Sequence, residues 1–216
     1  MEVKHKNPCK TALLIVDMIS DFEFEDGEKL CPPALAAAEN IRELKKRAKD
    51  QRAPVIYVND NYGHWNEDFR TFAARIRNGS ERGRRITDLL APEEDDLYIL
   101  KPQRSGFYET PLSVLLQSLK VSNLIICGVT TDMCVLFTAH DAYMRGFQVF
   151  VPADCSAAVE PEFHQQAIDL IRRVADARTE FSSEIDLPAL DRIDSEHDIA
   201  RNIPEVETGP EAAGAA

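Results

Sequence analysis

Three side chains of this 216-residue chain stand where a nucleophile, a base and a cation could meet. Asp17 directly follows the apolar run Thr11 to Val16 (TALLIV), and Lys101 directly follows Leu97 to Leu100 (LYIL). Cys134 lies in GVTTDMC, a few residues past Asn123 to Cys127 (NLIIC). A thiol at the start of a helix meets unpaired N–H groups and the positive end of the helix dipole, and a nearby lysine strengthens that field. The pattern therefore predicts a cysteine stabilised as thiolate. A carboxylate within reach could take the thiol proton as sulfur attacks a carbonyl carbon, then activate the water that releases the acyl group. Each residue also has a plain structural use. A cysteine in an apolar helix is commonly core filler, an aspartate after a strand commonly caps a turn, and Lys101 beside Arg104 could be a solvated loop charge.

What favours chemistry is the set of elements that would position them. Short β-branched runs alternate with longer amphipathic stretches, the pattern of a parallel sheet with crossover helices. Besides the three runs above, Pro54 to Asn59 (PVIYVN) and Gln148 to Val151 (QVFV) read as strands, and Ala177 to Phe181 as a weaker sixth. Pro33 to Gln51 reads as a helix opened by proline, with Leu35, Ile41, Leu44 and Ala48 at near-helical spacing. Pro111 to Leu119, Glu160 to Ala175 and Thr131 to Arg145 read likewise, the last stopped by Gly146. Asp60 to Leu90 is an irregular excursion with a short helix over Phe69 to Arg77, ending at Asn78-Gly79. The expectation is a three-layer α/β/α sandwich with a mostly parallel six-stranded sheet in the order 3-2-1-4-5-6. That order sets Asp17 and Cys134 on adjacent central strands at the point where strand order reverses, where ligands of such sheets collect.

Length and composition suit one domain over residues 1–190, followed by an acidic, loosely packed or disordered tail over 191–216. From Glu184 to Ala216 the chain holds nine acids against two arginines, which accounts for much of the net charge of −12. That charge disfavours nucleic-acid and anionic-membrane partners, since phosphate binding needs positive potential. Five scattered cysteines suit neither a disulfide framework nor a CxxC metal hook, and no segment reads as a signal peptide or membrane span. A cytoplasmic protein acting on a small molecule is expected. Arg75, Arg77, Arg82, Arg84 and Arg85 form a basic cluster, read as a solvated or interface face. Cys127, inside an apolar run, reads as buried filler.

The blocks LLIVDMISDF, LKPQRSGFYETPL and IICGVTTDMCVLFTAHDAYMRGFQVFVPADCSAA, in this order, closely resemble the signature segments of the isochorismatase-like cysteine hydrolases. The resemblance spans residues 12 to 158 and implies a catalytic triad of Asp17, Lys101 and Cys134. It also implies a non-proline cis peptide between Val129 and Thr130, with the N–H groups of Thr130 and Cys134 forming an oxyanion hole. Relatives are often dimers or tetramers, so a homo-oligomer is expected, with the helix Thr131 to Arg145 a possible subunit contact.

Departures from the family's sub-patterns narrow the activity. Nicotinamidases carry an aspartate-x-histidine pair and a further histidine that bind a metal. This chain has Asp60-Asn61-Tyr62 there, and a lone His64 is more often a loop residue than a ligand, so neither metal nor cofactor is expected. Isochorismate-cleaving members hydrolyse a vinyl ether and need no thiol, so Cys134 tilts the reading toward amide, ureido or carbamoyl substrates. Phe22, Asn61, Tyr62, Trp65 and Phe107 lie in segments expected to wall the pocket, although the aromatic members could equally be core. Two alternatives stay open: cleavage of an ether or ester, and a catalytically silent binding or assembly module.

Overall fold

All six residues of β1 (Thr11–Val16) are buried, and strand geometry divides them between two cores. Leu13 and Ile15 face one layer, while Ala12, Leu14 and Val16 face the other, as side chains alternating across a sheet covered on both sides must. The structure, a computed structural model, describes residues 9–63 and 68–192. Around β1 lie β2 (Val55–Asp60), β3 (Leu97–Lys101), β4 (Asn123–Val129) and β5 (Gln148–Phe150), all parallel, in the order β3-β2-β1-β4-β5.

The sixth strand is not where the sequence pattern put it. β6 is the pair Ser156–Ala157, bonded to the far end of β4 beyond the reach of β5. Ala177 to Phe181 contributes only an isolated bridge from Arg178 to Phe150. Two residues are too short to leave a periodic signal.

The first core lies beneath α1 (Gly27–Asp50), α2 (Phe69–Gly79) and α3 (Glu81–Leu89). The second lies beneath α4 (Leu112–Ser118), α5 (Leu136–Met144) and α6 (Pro161–Val174). Helix α1 starts six residues before the expected Pro33 and runs through Pro32 and Pro33, where two backbone donors are missing from its ladder. Its buried side, Leu30, Ala34, Ala38, Ile41, Leu44 and Ala48, is rich in alanine and so lets the helix lie close to the sheet. The excursion holds two helices, split at Ser80, whose hydroxyl accepts from Gly83 N at 3.0 Å and caps the second. Its arginines are partly paired locally, Arg77 with Asp88 at 2.6 Å and Arg82 with Glu28 at 3.5 Å.

The end of the domain packs against the rest of it. Ile185, Leu187 and Leu190 are buried, the last two on the short helix α7 (Leu187–Leu190). Asp154 accepts from both the N–H and the hydroxyl of Ser182 at 2.7 Å, and Asn123 donates to Leu190 O at 2.9 Å. Of the expected acidic tail, residues 193–216 lie outside the described residues.

One charge cluster lies inside the first core. Lys45, on the buried side of α1, contacts Asp96 at 2.7 Å, Glu93 at 3.1 Å, Ala91 O at 3.0 Å and Tyr57 Oη at 3.1 Å. Lys49 also reaches Asp96, at 2.7 Å. The cluster ties α1 to the turn that leads into β3. Asp96→Ala leaves the Lys45 ammonium in a dry site with only the more exposed Glu93 as counter-charge. The expected loss is about 3 kcal/mol of stability, read from the urea midpoint at constant m.

Candidate active site

The carboxyl ends of β1, β3 and β4 converge on one point. Asp17 follows β1 with φ 51°, a left-handed backbone that aspartate tolerates better than most residues, and its N–H bonds Val58 O at 3.0 Å. Lys101 is the last residue of β3 and has no solvent exposure. Its Nζ lies 2.8 Å from Asp17 Oδ2, 3.5 Å from Cys134 Sγ and 3.8 Å from Asp60 Oδ2. Asp17 Oδ1 accepts the Asp60 N–H at 2.6 Å, so both carboxylate oxygens are engaged. The structure thus brings Asp17, Lys101 and Cys134 together.

Cys134 sits in a π-helical turn, Thr131–Val135, between β4 and α5. Such turns recur at functional sites because they displace a side chain from the regular helical ladder. The Val129–Thr130 peptide bond is cis. Thr130 O accepts the N–H groups of Met133 and Val135, each at 3.2 Å, and the Thr131 hydroxyl contacts His164 Nδ1 on α6 at 2.8 Å.

The expectation of a resting thiolate gives way to the opposite direction. Burial and the adjacent Asp17 carboxylate push the Cys134 thiol well above its ordinary range, and Lys101 only partly offsets them. Burial also raises the Asp17 carboxyl, against the pull of Lys101, while the negative groups around Lys101 overcome its own desolvation and hold it as ammonium. Both shifts favour a protonated thiol beside a carboxylate of raised proton affinity. Alkylation of Cys134 by iodoacetamide should therefore be slow at neutral pH and climb steadily as pH rises, because only the thiolate reacts. Mass-spectrometric mapping of labelled peptides across pH checks this.

The expected pocket residues fall into three groups. Phe22 and Phe107 are core rather than wall. Phe22 has no solvent-exposed surface and packs in the first core, and Phe107 packs in the second beneath Arg145, whose guanidinium carbon is 4.8 Å from the ring centre. Each side chain satisfies its apolar surface against protein, which leaves little for a ligand. Asn61 and Tyr62 lie beside the site: Asn61 N bonds Lys101 O at 3.1 Å, and the half-exposed Tyr62 stacks on Phe72 with its hydroxyl 3.4 Å from Ser20 Oγ. Trp65 and His64 lie outside the described residues. The Asp60 carboxylate, at the place of the nicotinamidase aspartate, accepts Tyr62 N at 2.7 Å, and tyrosine stands where that pattern has histidine.

Several supporting residues escaped the sequence reading. Buried Asn59 donates to Ile19 O at 2.8 Å and holds the loop after Asp17. Ser105 bonds Asp141, and Gly106 N bonds Thr138 Oγ1 at 3.0 Å, so the loop after Lys101 is fastened to the helix after Cys134. Polar residues in loops carry no periodicity. The proximity of Ser105 to Lys101 in sequence was the only available signal.

A family model described as the isochorismatase domain matches residues 11–180. An isochorismatase family protein of Bacillus subtilis, YaaI, whose description calls it uncharacterized, is 41% identical over 163 residues, covering 76% of this chain and 89% of its own length. The crystal structure of a Staphylococcus aureus nicotinamidase superposes with TM-score 0.63 at 25% identity, over 80% of this chain and 99% of that one. That of an N-carbamoylsarcosine amidase from Thermoplasma acidophilum gives 0.62 at 26% identity, over 82% and 99%. A match across most of its length and a relative at that level of identity make this chain a member of the isochorismatase family.

Proposed function

We propose that this protein is a cysteine hydrolase that cleaves the C–N bond of a small amide, ureido or carbamoyl compound without a metal. The observation that carries the reading is the contact of Lys101 Nζ with Asp17 Oδ2 at 2.8 Å and Cys134 Sγ at 3.5 Å, on one buried lysine. Kinship with a nicotinamidase and an N-carbamoylsarcosine amidase supports the bond type.

Asp17 removes the Cys134 proton as the Sγ–C bond forms, and the carbonyl electron pair moves to oxygen. The N–H groups of Thr130 and Cys134 receive that oxyanion. Lys101 offsets the negative charge shared by Asp17 and sulfur, so the proton can move without leaving an uncompensated buried charge. The C–N bond then breaks, and ammonia or an amine departs with the proton held by Asp17. Water, deprotonated by Asp17, attacks the thioester and restores the thiol.

The test is acid quenching during turnover of nicotinamide, N-carbamoylsarcosine and a panel of ureido acids, followed by peptide mass analysis. An acyl mass on the Cys134 peptide, with release of ammonia, is expected. Hydrolysis that continues undiminished in Cys134→Ala, with no adduct, overturns the proposal.

A further inference from the structure

The turn that carries Cys134 is tied to the outer helix layer through one buried hydroxyl. Thr131 is wholly buried at the first position of the π turn, so its hydroxyl has no bulk water to bond, and it contacts His164 Nδ1 at 2.8 Å. Its neighbours are less well served: among the described residues, Thr130 Oγ1 and Asp132 Oδ1 are buried without a hydrogen-bond partner. Thr131 lies between the Thr130 carbonyl, which receives two N–H groups of the turn, and the nucleophile three residues on. A rotation at Thr131 therefore moves both. The fold of α6 itself does not need this bond, because Ala167, Ile168 and Ile171 form its buried face further along.

We infer that His164 is a positioning residue of the hydrolase: through Thr131 it fixes the turn whose Thr130 and Cys134 N–H groups receive the oxyanion, without touching substrate. The inference rests on the cysteine-hydrolase reading above. Burial, opposed by Asp132, lowers the imidazole below its ordinary proton affinity. In a neutral ring the bond forms in either tautomer, the Thr131 hydroxyl donating to a bare Nδ1 or accepting from Nδ1–H.

The experiment compares kcat and KM for wild type, His164→Leu, His164→Asn, Thr131→Val and the Thr131→Val/His164→Leu double variant, each checked for folding by circular dichroism. Misplacing an oxyanion turn should lower kcat roughly 10- to 100-fold, while KM, which reports ground-state binding, stays within about two-fold. His164→Asn, whose amide oxygen can accept the same hydroxyl, should recover most of the loss. Thr131→Val should lose as much as His164→Leu, and the double variant no more than either, because one interaction is removed three ways. Thr131→Val also guards against a His164→Leu chain that fails to fold, since it removes the hydroxyl that would be left unpaired. Wild-type kcat in either folded single variant, loss confined to KM, or additive losses in the double variant would overturn the inference. Absence of Cys134-dependent hydrolysis in the wild type would remove the reading on which it rests, a result distinct from any in the variants.

Discussion

Cys134→Ala, Asp17→Asn and Lys101→Met should each lower kcat by at least about 10³-fold, and the triple variant should be little worse than the singles. In the proposed mechanism one proton passes between Cys134 and Asp17 beside the Lys101 ammonium, so removing any member ends the function of the unit. Asp17→Asn preserves shape and can still accept the Asp60 N–H, which lies 2.6 Å from Oδ1, so its loss isolates the missing base. Lys101→Met takes the cation from a fully buried position and leaves Asp17 with no ammonium at 2.8 Å. Its carboxyl would move further upward and hold a proton, unable to accept the one on Cys134. Steady-state rates of ammonia release, beside thermal unfolding of each variant, provide the check. Losses that multiply across the three sites would mean independent roles rather than one relay.

Gly128→Ala should prevent accumulation of folded protein. Gly128 has φ 123°, outside the range of ordinary L residues, and a Cβ there would stand 2.0 Å from Val16 O in the neighbouring strand. The oxygen is backbone and the Cβ would be fixed rigidly to backbone, at the centre of the sheet, one residue before Asp17 and one before Val129. Neither can yield without parting β1 from β4, so the cost should exceed about 4 kcal/mol, the range reserved for such steric conflicts. Gly63→Ala is the control. It also has positive φ, at 76°, but among the described residues its Cβ would meet nothing within 4 Å, so a cost of about 1–2 kcal/mol is expected. Soluble yield and urea unfolding of the two variants separate steric conflict from conformational preference.

The strands were legible because they are central and apolar. TALLIV was found with its exact ends, and QVFV, LYIL and NLIIC were displaced by no more than two residues. Strand ends and the parallel order put Asp17, Lys101 and Cys134 along one edge of the sheet, and the resemblance to the family's signature segments singled them out as a set. What escaped was set by tertiary contact. β6 exists because β4 outruns β5 and leaves Gly128 and Val129 a free edge. Phe22 and Phe107 were assigned to the pocket by their segments, but burial depends on which way a side chain turns at a loop, and Phe22 has φ 55°. The upward shift of the Cys134 thiol, which runs against the expected thiolate, has a similar origin. The helix terminus and Lys101 were visible in the sequence, whereas the depth of burial and the contact with Asp17 were not.

The strand order also bears on how the chain is made. β1 pairs on one side with β2 and on the other with β4, whose first residue follows β1's last by more than a hundred positions. While ribosomes extend the chain toward Asn123, one full edge of TALLIV has no hydrogen-bonding neighbour, and an unpaired apolar edge is a template for pairing with another chain. Synthesis halted between β3 and β4 would yield an adhesive fragment that holds Asp17 and Lys101 but lacks Cys134. Arrival of NLIICGV closes that edge, and the turn that follows it sets Cys134 beside Lys101, so the three-residue cluster and protection from aggregation are completed by the same stretch of chain.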